Sequence, residues 1–145
     1  MLVLDTSALL AALDAADPDH GPCAKLIADS REDLIVPALV LAEVDYWCHE
    51  RLTLDVWLAF LEDVLDGAYG AEDPTHGDLV RADQLQRTYA DLKVGVVDGT
   101  ILALVERLGE PKLGTLDHRH FGTMRPRHVE ALELLPAGVK GRSSN

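Results

Sequence analysis

Leu2-Val3-Leu4-Asp5-Thr6-Ser7-Ala8-Leu9-Leu10 decides how the rest of the chain reads. Three apolar residues in a row are too few for a buried helix and suit a buried strand. Asp5 closes the run, and the Ala- and Leu-rich stretch Ala8 to Ala16 then predicts a helix. A carboxylate or hydroxyl at Asp5 or Thr6 would cap that helix by accepting from its free backbone N–H groups. The chain therefore opens as a strand, a polar turn and a helix, with an aspartate at the strand's carboxyl end.

The same grammar recurs downstream. Leu34-Ile35-Val36 predicts a strand interrupted by Pro37, and Ala38 to Arg51 a helix. Pro22 to Ser30 predicts a proline-opened helix, and Thr53 to Asp66 a helix with Trp57, Phe60, Leu61, Val64 and Leu65 as its apolar stripe. Gly67 to Ala71 reads as a short edge strand and His76 to Asp91 as a helix. Val94 to Val97 leads into Asp98, and Gly99 to Leu108 is a helix ended by Gly109. Lys112 to Leu116 reads as a strand that also ends at an aspartate, Asp117, and Ala131 to Leu135 as the final strand. Strands alternating with helices imply βαβ units and a parallel sheet covered on both faces. The expected domain spans residues 1–136, with 137–145 as a disordered tail.

Of 145 residues, 48% are apolar and 26% charged, an ordinary globular balance for one domain. No apolar run reaches the roughly 20 residues of a membrane span, and no Lys or Arg precedes the first apolar stretch as a signal peptide requires. Cys23 and Cys48 sit in no metal-ligand spacing and read as reduced thiols in helices, which suits a cytoplasmic protein. The formal net charge of -12 argues against a general electrostatic nucleic-acid binder. It does not argue against a nuclease, because a carboxylate site becomes cationic only when its metal binds. Against that acidity, residues 117–129 hold three arginines and three histidines. They read either as a solvated loop or as a phosphate-contacting surface, with Arg119, Arg125 and Arg127 as possible RNA contacts.

The chemistry-bearing pattern is the set of carboxylates. Asp5 and Asp117 follow strands, Asp98 starts a helix, and Glu43 lies on the helix after the second strand. In an open parallel sheet, side chains at the carboxyl ends of strands share one crevice. Taken singly, each has a plainer role as a cap, a turn residue or a solvated side chain. Together they would repel one another unless a cation compensated. Donors made only of oxygen select hard ions, Mg²⁺ or Mn²⁺. Thr6, Ser7 and Thr115 would orient the carboxylates from beside them. His118 and His120 lack the companions of a zinc site, and aromatics at 5% look too sparse for a base-stacking platform.

Four motifs in order give the chain a resemblance. Leu2-Val3-Leu4-Asp5-Thr6-Ser7 comes first, then Val36-Pro37-Ala38-Leu39-Val40-Leu41-Ala42-Glu43-Val44. Tyr89-Ala90-Asp91 running to Val97-Asp98-Gly99-Thr100 is third, and Leu113-Gly114-Thr115-Leu116-Asp117-His118-Arg119-His120-Phe121 is fourth. With these motifs, from about residue 1 to 136, the sequence resembles the PIN-domain family and within it the VapC-type toxins of type II toxin–antitoxin pairs. The resemblance implies a three-layer α/β/α sandwich with a short, mostly parallel sheet. It implies an Mg²⁺- or Mn²⁺-dependent endoribonuclease that is homodimeric and neutralised by a small cognate antitoxin. Asp5, Glu43, Asp98 and Asp117 then map onto the family's acidic quartet as catalytic and metal-binding residues. Gly99 departs from the Ala or Cys many relatives carry. The alternatives are a PIN scaffold that binds RNA or metal without cutting, and a receiver-like signalling domain. The latter would place two acids near the first strand and a lysine at the end of a late strand, whereas Asp5 has no acidic neighbour and Lys112 precedes a strand instead of ending one.

Overall fold

The computed structural model describes residues 1–142. Strand β1 (Leu2–Val3) pairs in parallel with β2 (Leu34–Pro37), and β2 with β3 (Gly70–Glu72). Strand β4 (Lys112–Gly114) pairs in parallel with β5 (Glu133–Leu135). One parallel bridge, Leu4 to Gly114, joins the two groups, and the Asp5 N–H donates to the Gly114 carbonyl over 2.8 Å. The strand order is thus β3-β2-β1-β4-β5, with every pairing parallel. The order in which strands are added reverses at β1, with β2 and β3 on one side and β4 and β5 on the other, and a crevice opens at such a point. Leu2, Val3 and Leu4 are buried, as a central parallel strand covered on both faces requires.

The helices are α1 (Thr6–Leu13), α2 (His20–Asp29), α3 (Ala38–Arg51), α4 (Leu54–Leu65), α5 (His76–Thr88), α6 (Val96–Leu108) and α7 (His118–Thr123). They complete a three-layer α/β/α sandwich, the architecture that the resemblance implies. Helix α1 packs on α2 and α3, α3 on α4, and α5 along α6. Every residue of α6 from Gly99 to Val105 is buried, which makes it the most enclosed helix among those described. Two arginines tie α5 to α6: Arg81 donates twice to Glu106, at 2.8 and 3.0 Å, and Arg107 donates to Asp78. Gly109, at φ 68°, closes α6 in the left-handed conformation that a glycine adopts without penalty. No described helix is long and apolar enough to cross a membrane.

Several boundaries moved for local reasons. Helix α1 begins at Thr6 because Asp5 caps it, and it stops at Leu13, after which Asp14 accepts from the Ala16 N–H. Pro22 is the third residue of α2, not its first. The run Val94–Val97 is not extended throughout, since Gly95 caps α6 and the helix takes Val96 and Val97. Helix α5 ends at Thr88, and residues 90–92 form a separate 3-10 turn. The basic stretch after Asp117 contains a helix, α7. Cys23 and Cys48 are free, buried and helical. Beyond Pro136, where a disordered tail was expected, the described chain runs to Arg142. Its backbone N–H donates to the Leu116 carbonyl over 2.8 Å, and Val139 packs against Ala8, Ala11, Cys23 and Leu116. Residues 143–145 lie outside the described part.

Gly99 has a packing reason. A methyl group there would sit 2.9 Å from the Ala82 Cβ and 3.0 Å from its Cα, with helix α5 in the way. The gain in helix propensity from alanine, about 1 kcal/mol, is smaller than the cost of forcing two packed helices apart. Gly99→Ala is therefore expected to lower unfolding free energy by about 1–2 kcal/mol net, read by urea denaturation. A neutral or stabilising result would show that α5 and α6 are not in such close contact.

Candidate active site

The site grows from the junction of β1 and β4. Asp5 ends β1 and caps α1, with its Oδ1 accepting from the Thr6 N–H at 2.7 Å. Its Oδ2 accepts from the Thr115 hydroxyl at 2.7 Å and the Ser7 hydroxyl at 3.1 Å. Those hydroxyls also accept: the Asp117 N–H donates to Thr115 Oγ1 at 3.0 Å and the Leu116 N–H to Ser7 Oγ at 2.9 Å. Two strand ends far apart in sequence are thereby locked in one geometry. The Thr6 hydroxyl reaches the other way and donates to Glu43 on α3 over 2.6 Å. The expected supporting roles of Thr6, Ser7 and Thr115 thus correspond to three specific hydroxyl contacts.

Asp98 stands in the first turn of α6, where the helix dipole favours a carboxylate. Asp117 is fully buried. It caps α7 by accepting from the His120 N–H at 3.1 Å, and its Oδ2 lies 2.7 Å from His120 Nδ1. The other ring nitrogen, Nε2, is 2.9 Å from the Leu92 carbonyl, which only accepts, so Nε2 carries a proton. Burial pulls the His120 pKa down, but the Asp117 bond, the Leu92 carbonyl and the Asp98 charge outweigh it and push it up. His120 Nδ1 also lies 3.7 Å from Asp98.

These groups border a cleft of ≈ 680 Å³. Asp5, Glu43 and Asp98 line it together with His120. Asp117 stands behind them, meeting the cleft through His120. Burial pushes the Asp5 carboxyl up to about 6 against the pull of its hydrogen bonds, with Glu43 adding to the rise. Burial, and then the charges of Asp5 and Asp117, push Asp98 up to about 7. Such carboxylates favour any cation that can reach them. Ligand atoms of Asp98, Asp117 and His120 lie within 4.8 Å of one another, so the donor set fits a divalent ion. Both His120 nitrogens are engaged, by Asp117 and Leu92, so the donors left for an ion are carboxylate oxygens, which suit Mg²⁺ or Mn²⁺. His120, set aside in the sequence as a poor zinc ligand, is the site residue that sequence reasoning missed.

The cations of the cleft were missed as well. Arg119, Arg125 and Arg127 are exposed and absent from its lining. The Arg127 guanidinium donates to Gln84 and its backbone N–H to Glu106, which turns this segment toward α5 and α6. The lining cations are Arg51, Lys93 and Arg142. Arg142 bonds to Asp17 at 3.1 Å and approaches Asp19 at 3.6 Å. Arg51 was legible in principle, since Glu43, Trp47 and Arg51 share one helical stripe. Arg142 lay in the segment set aside as tail.

Similarity to known proteins extends over most of the chain. Residues 2–125 match the PIN domain family model. The sequence is 35% identical over 125 residues to Ribonuclease VapC26 of Mycobacterium tuberculosis, covering 86% of this chain and 93% of that protein. The fold resembles that of Mycobacterium tuberculosis VapC20, described as a sarcin-ricin loop cleaving toxin. The TM-score is 0.78 at 20% identity, over 90% of this chain and 99% of that one. FitAcB from Neisseria gonorrhoeae is similar at a TM-score of 0.67 and 18% identity, over 96% of this chain and 100% of that one.

The electrostatics set a direction for stability. A carboxyl with a raised pKa holds its proton more tightly in the fold than in the unfolded chain. It therefore stabilises the fold as pH falls from the raised value toward the ordinary 3.8. His120, also raised, contributes stability at low pH that is lost as pH climbs through its folded value. All three act in one direction. In chelator, the protein is expected to melt higher at pH 5 than at pH 8 by on the order of 5 °C. Asp98→Asn should raise the melting point at pH 8 and flatten the dependence. Equal melting of the wild type at both pH values would sink this view of the site.

Proposed function

The chain belongs to the PIN-domain family, and on that premise we propose that it is a divalent-metal-dependent endoribonuclease, the toxin of a toxin–antitoxin pair. The observation that carries the proposal is the convergence of Asp5, Glu43 and Asp98 on one cleft at the reversal of strand order, with His120 on the same lining and Asp117 directly behind it. The likeness to Ribonuclease VapC26, over most of both chains, supports the same reading. Mg²⁺ or Mn²⁺ bound by these carboxylates would polarise the phosphodiester and make water a competent nucleophile near neutral pH.

The chain's own groups divide the remaining work. Thr115 and Ser7 hold Asp5 in one orientation, and Thr6 fixes one oxygen of Glu43. His120, pinned at both ring nitrogens, keeps Asp117 and Asp98 apart as charges while holding them together in space. Lys93, on the lining, would contact a phosphate that flanks the cut, while Arg142 is held by Asp17 and Asp19. The exposed Arg119, Arg125 and Arg127 guide RNA only at longer range.

The partner follows from charge. A cognate antitoxin that presents a basic side chain to the acidic cleft would compete with the metal for the same oxygens. The protein acts in the cytoplasm and as a homodimer. Leu54, Leu58 and Leu65, exposed on α4, make that helix the face on which two copies meet.

The test is cleavage of total RNA by the purified chain, with Mg²⁺, Mn²⁺ or chelator. Defined fragments that require metal are expected. Asp5→Asn and Asp98→Asn should each reduce the rate by more than about 100-fold. A folded wild type that binds metal yet cuts none of several RNA substrates, or variants that cut as well as wild type, would refute catalysis at these carboxylates.

A further inference from the structure

Helix α3 sends one stripe of side chains along the cleft wall. Glu43, Trp47 and Arg51 are four residues apart, so they climb one face in steps of about 6 Å. All three line the cleft. Glu43 stands at the acidic end, held by Thr6. Trp47 comes one turn further on and is only half-buried. It packs into neither apolar cluster of the protein, unlike Trp57, which packs against the main core. Its ring meets the edge of Tyr46, with centroids 4.9 Å apart, and the Arg51 guanidinium lies over it at 4.2 Å from the centroid. An aromatic–guanidinium stack on the wall of a cleft presents a flat, cationic surface of the kind on which bases stack.

The charge of the cleft makes such a surface necessary. Asp5, Asp14, Asp17, Glu43 and Asp98 set five carboxylates on the lining against three cations, Arg51, Lys93 and Arg142. Phosphate attraction alone is a weak hold here, on a chain whose net charge is -12. Stacking does not depend on the sign of that field, and every base has a face to offer.

We propose that Trp47 and Arg51 form a stacking subsite for one unpaired nucleobase of the RNA, next to the phosphate that is cut. The proposal rests on the nuclease reading above and deepens it by naming the substrate class. The bases of an RNA duplex are stacked on one another and offer no free face, so the substrate is a single strand or a loop with a splayed base.

The experiment compares wild type, Trp47→Ala and Trp47→Phe, each in an Asp98→Asn background that prevents cleavage. The probes are a fluorescein-labelled mixed-sequence single-stranded oligoribonucleotide and the same strand annealed to its complement. Binding is read by anisotropy, and Trp47 emission is read separately in a Trp57→Phe version. For the single strand, Trp47→Ala should weaken binding on the order of tenfold and Trp47→Phe should restore most of it. Trp47 emission should be quenched on binding, and the duplex should bind wild type and Trp47→Ala alike. Melting points of the variants, matched to wild type, separate loss of contact from loss of fold. If Trp47→Ala binds the single strand as well as wild type, the subsite is wrong while the nuclease reading stands. If Trp47→Ala instead only shifts the sedimentation of the protein, Trp47 is a contact between copies and the proposal is wrong. If the wild type binds neither RNA, both readings fall.

Discussion

The hydrogen bond from the Thr115 hydroxyl to Asp5, 2.7 Å long and spanning 110 residues of chain, fixes where the cleft can be. Thr115 and Asp5 are both buried, so neither has water as an alternative partner. The same hydroxyl accepts from the Asp117 N–H, which sets the carboxyl end of β4 against that of β1. Gly114 allows the approach, because a Cβ there would stand 2.6 Å from the Leu4 side chain. Of the acidic end of the cleft, all but Asp98 on α6 hangs from this junction. Asp5 caps α1, Thr6 reaches Glu43, and Asp117 starts α7 and holds His120.

The acidic chain distributes its cations in a way that leaves the site in want of one. Arg81 is spent on Glu106, Arg107 on Asp78 and Glu72, Lys112 on Glu32 and Glu110, and Arg142 on Asp17. Among the described residues, no lysine or arginine forms an ion pair with Asp5, Glu43 or Asp98. Among the described residues, the ion-pair partner of Asp98 is His120, at 3.7 Å. A buried carboxylate with no ion-pair partner destabilises the fold unless it is protonated or bound to a cation. The carboxylates thus cost stability at one place, while the α5–α6 arginines stabilise the fold elsewhere.

Much of this was legible in the sequence because it depends on local patterns. Leu2-Val3-Leu4-Asp5 and Lys112 to Asp117 announced strands with acids at their ends, and the parallel sheet followed from strand–helix alternation. Glu43 needed only the helical register of α3, whose bounds at Ala38 and Arg51 match the expectation. What stayed hidden depends on distance in space. His120, in sequence only a histidine without the companions of a zinc site, gains its role when Leu92 and Asp117 close on its two nitrogens. The arginines of residues 117–129 drew attention by their density, yet α7 and Glu106 turn them from the cleft. The scarcity of aromatics said nothing about where one tryptophan stands, and Arg142 counted for nothing in a stretch read as tail.

Buried carboxylates crowded without a lysine or arginine between them make a site for a cation. The most direct measurement is the anomalous scattering of a crystal of the wild-type chain soaked in Mn²⁺, compared with a crystal of Asp98→Asn treated alike. A peak in the wild type, bounded by the Asp98 and Asp5 oxygens and lost in the variant, is the predicted result. A wild-type map with no Mn²⁺ in the cleft, or a peak of equal height in the variant, would contradict the account.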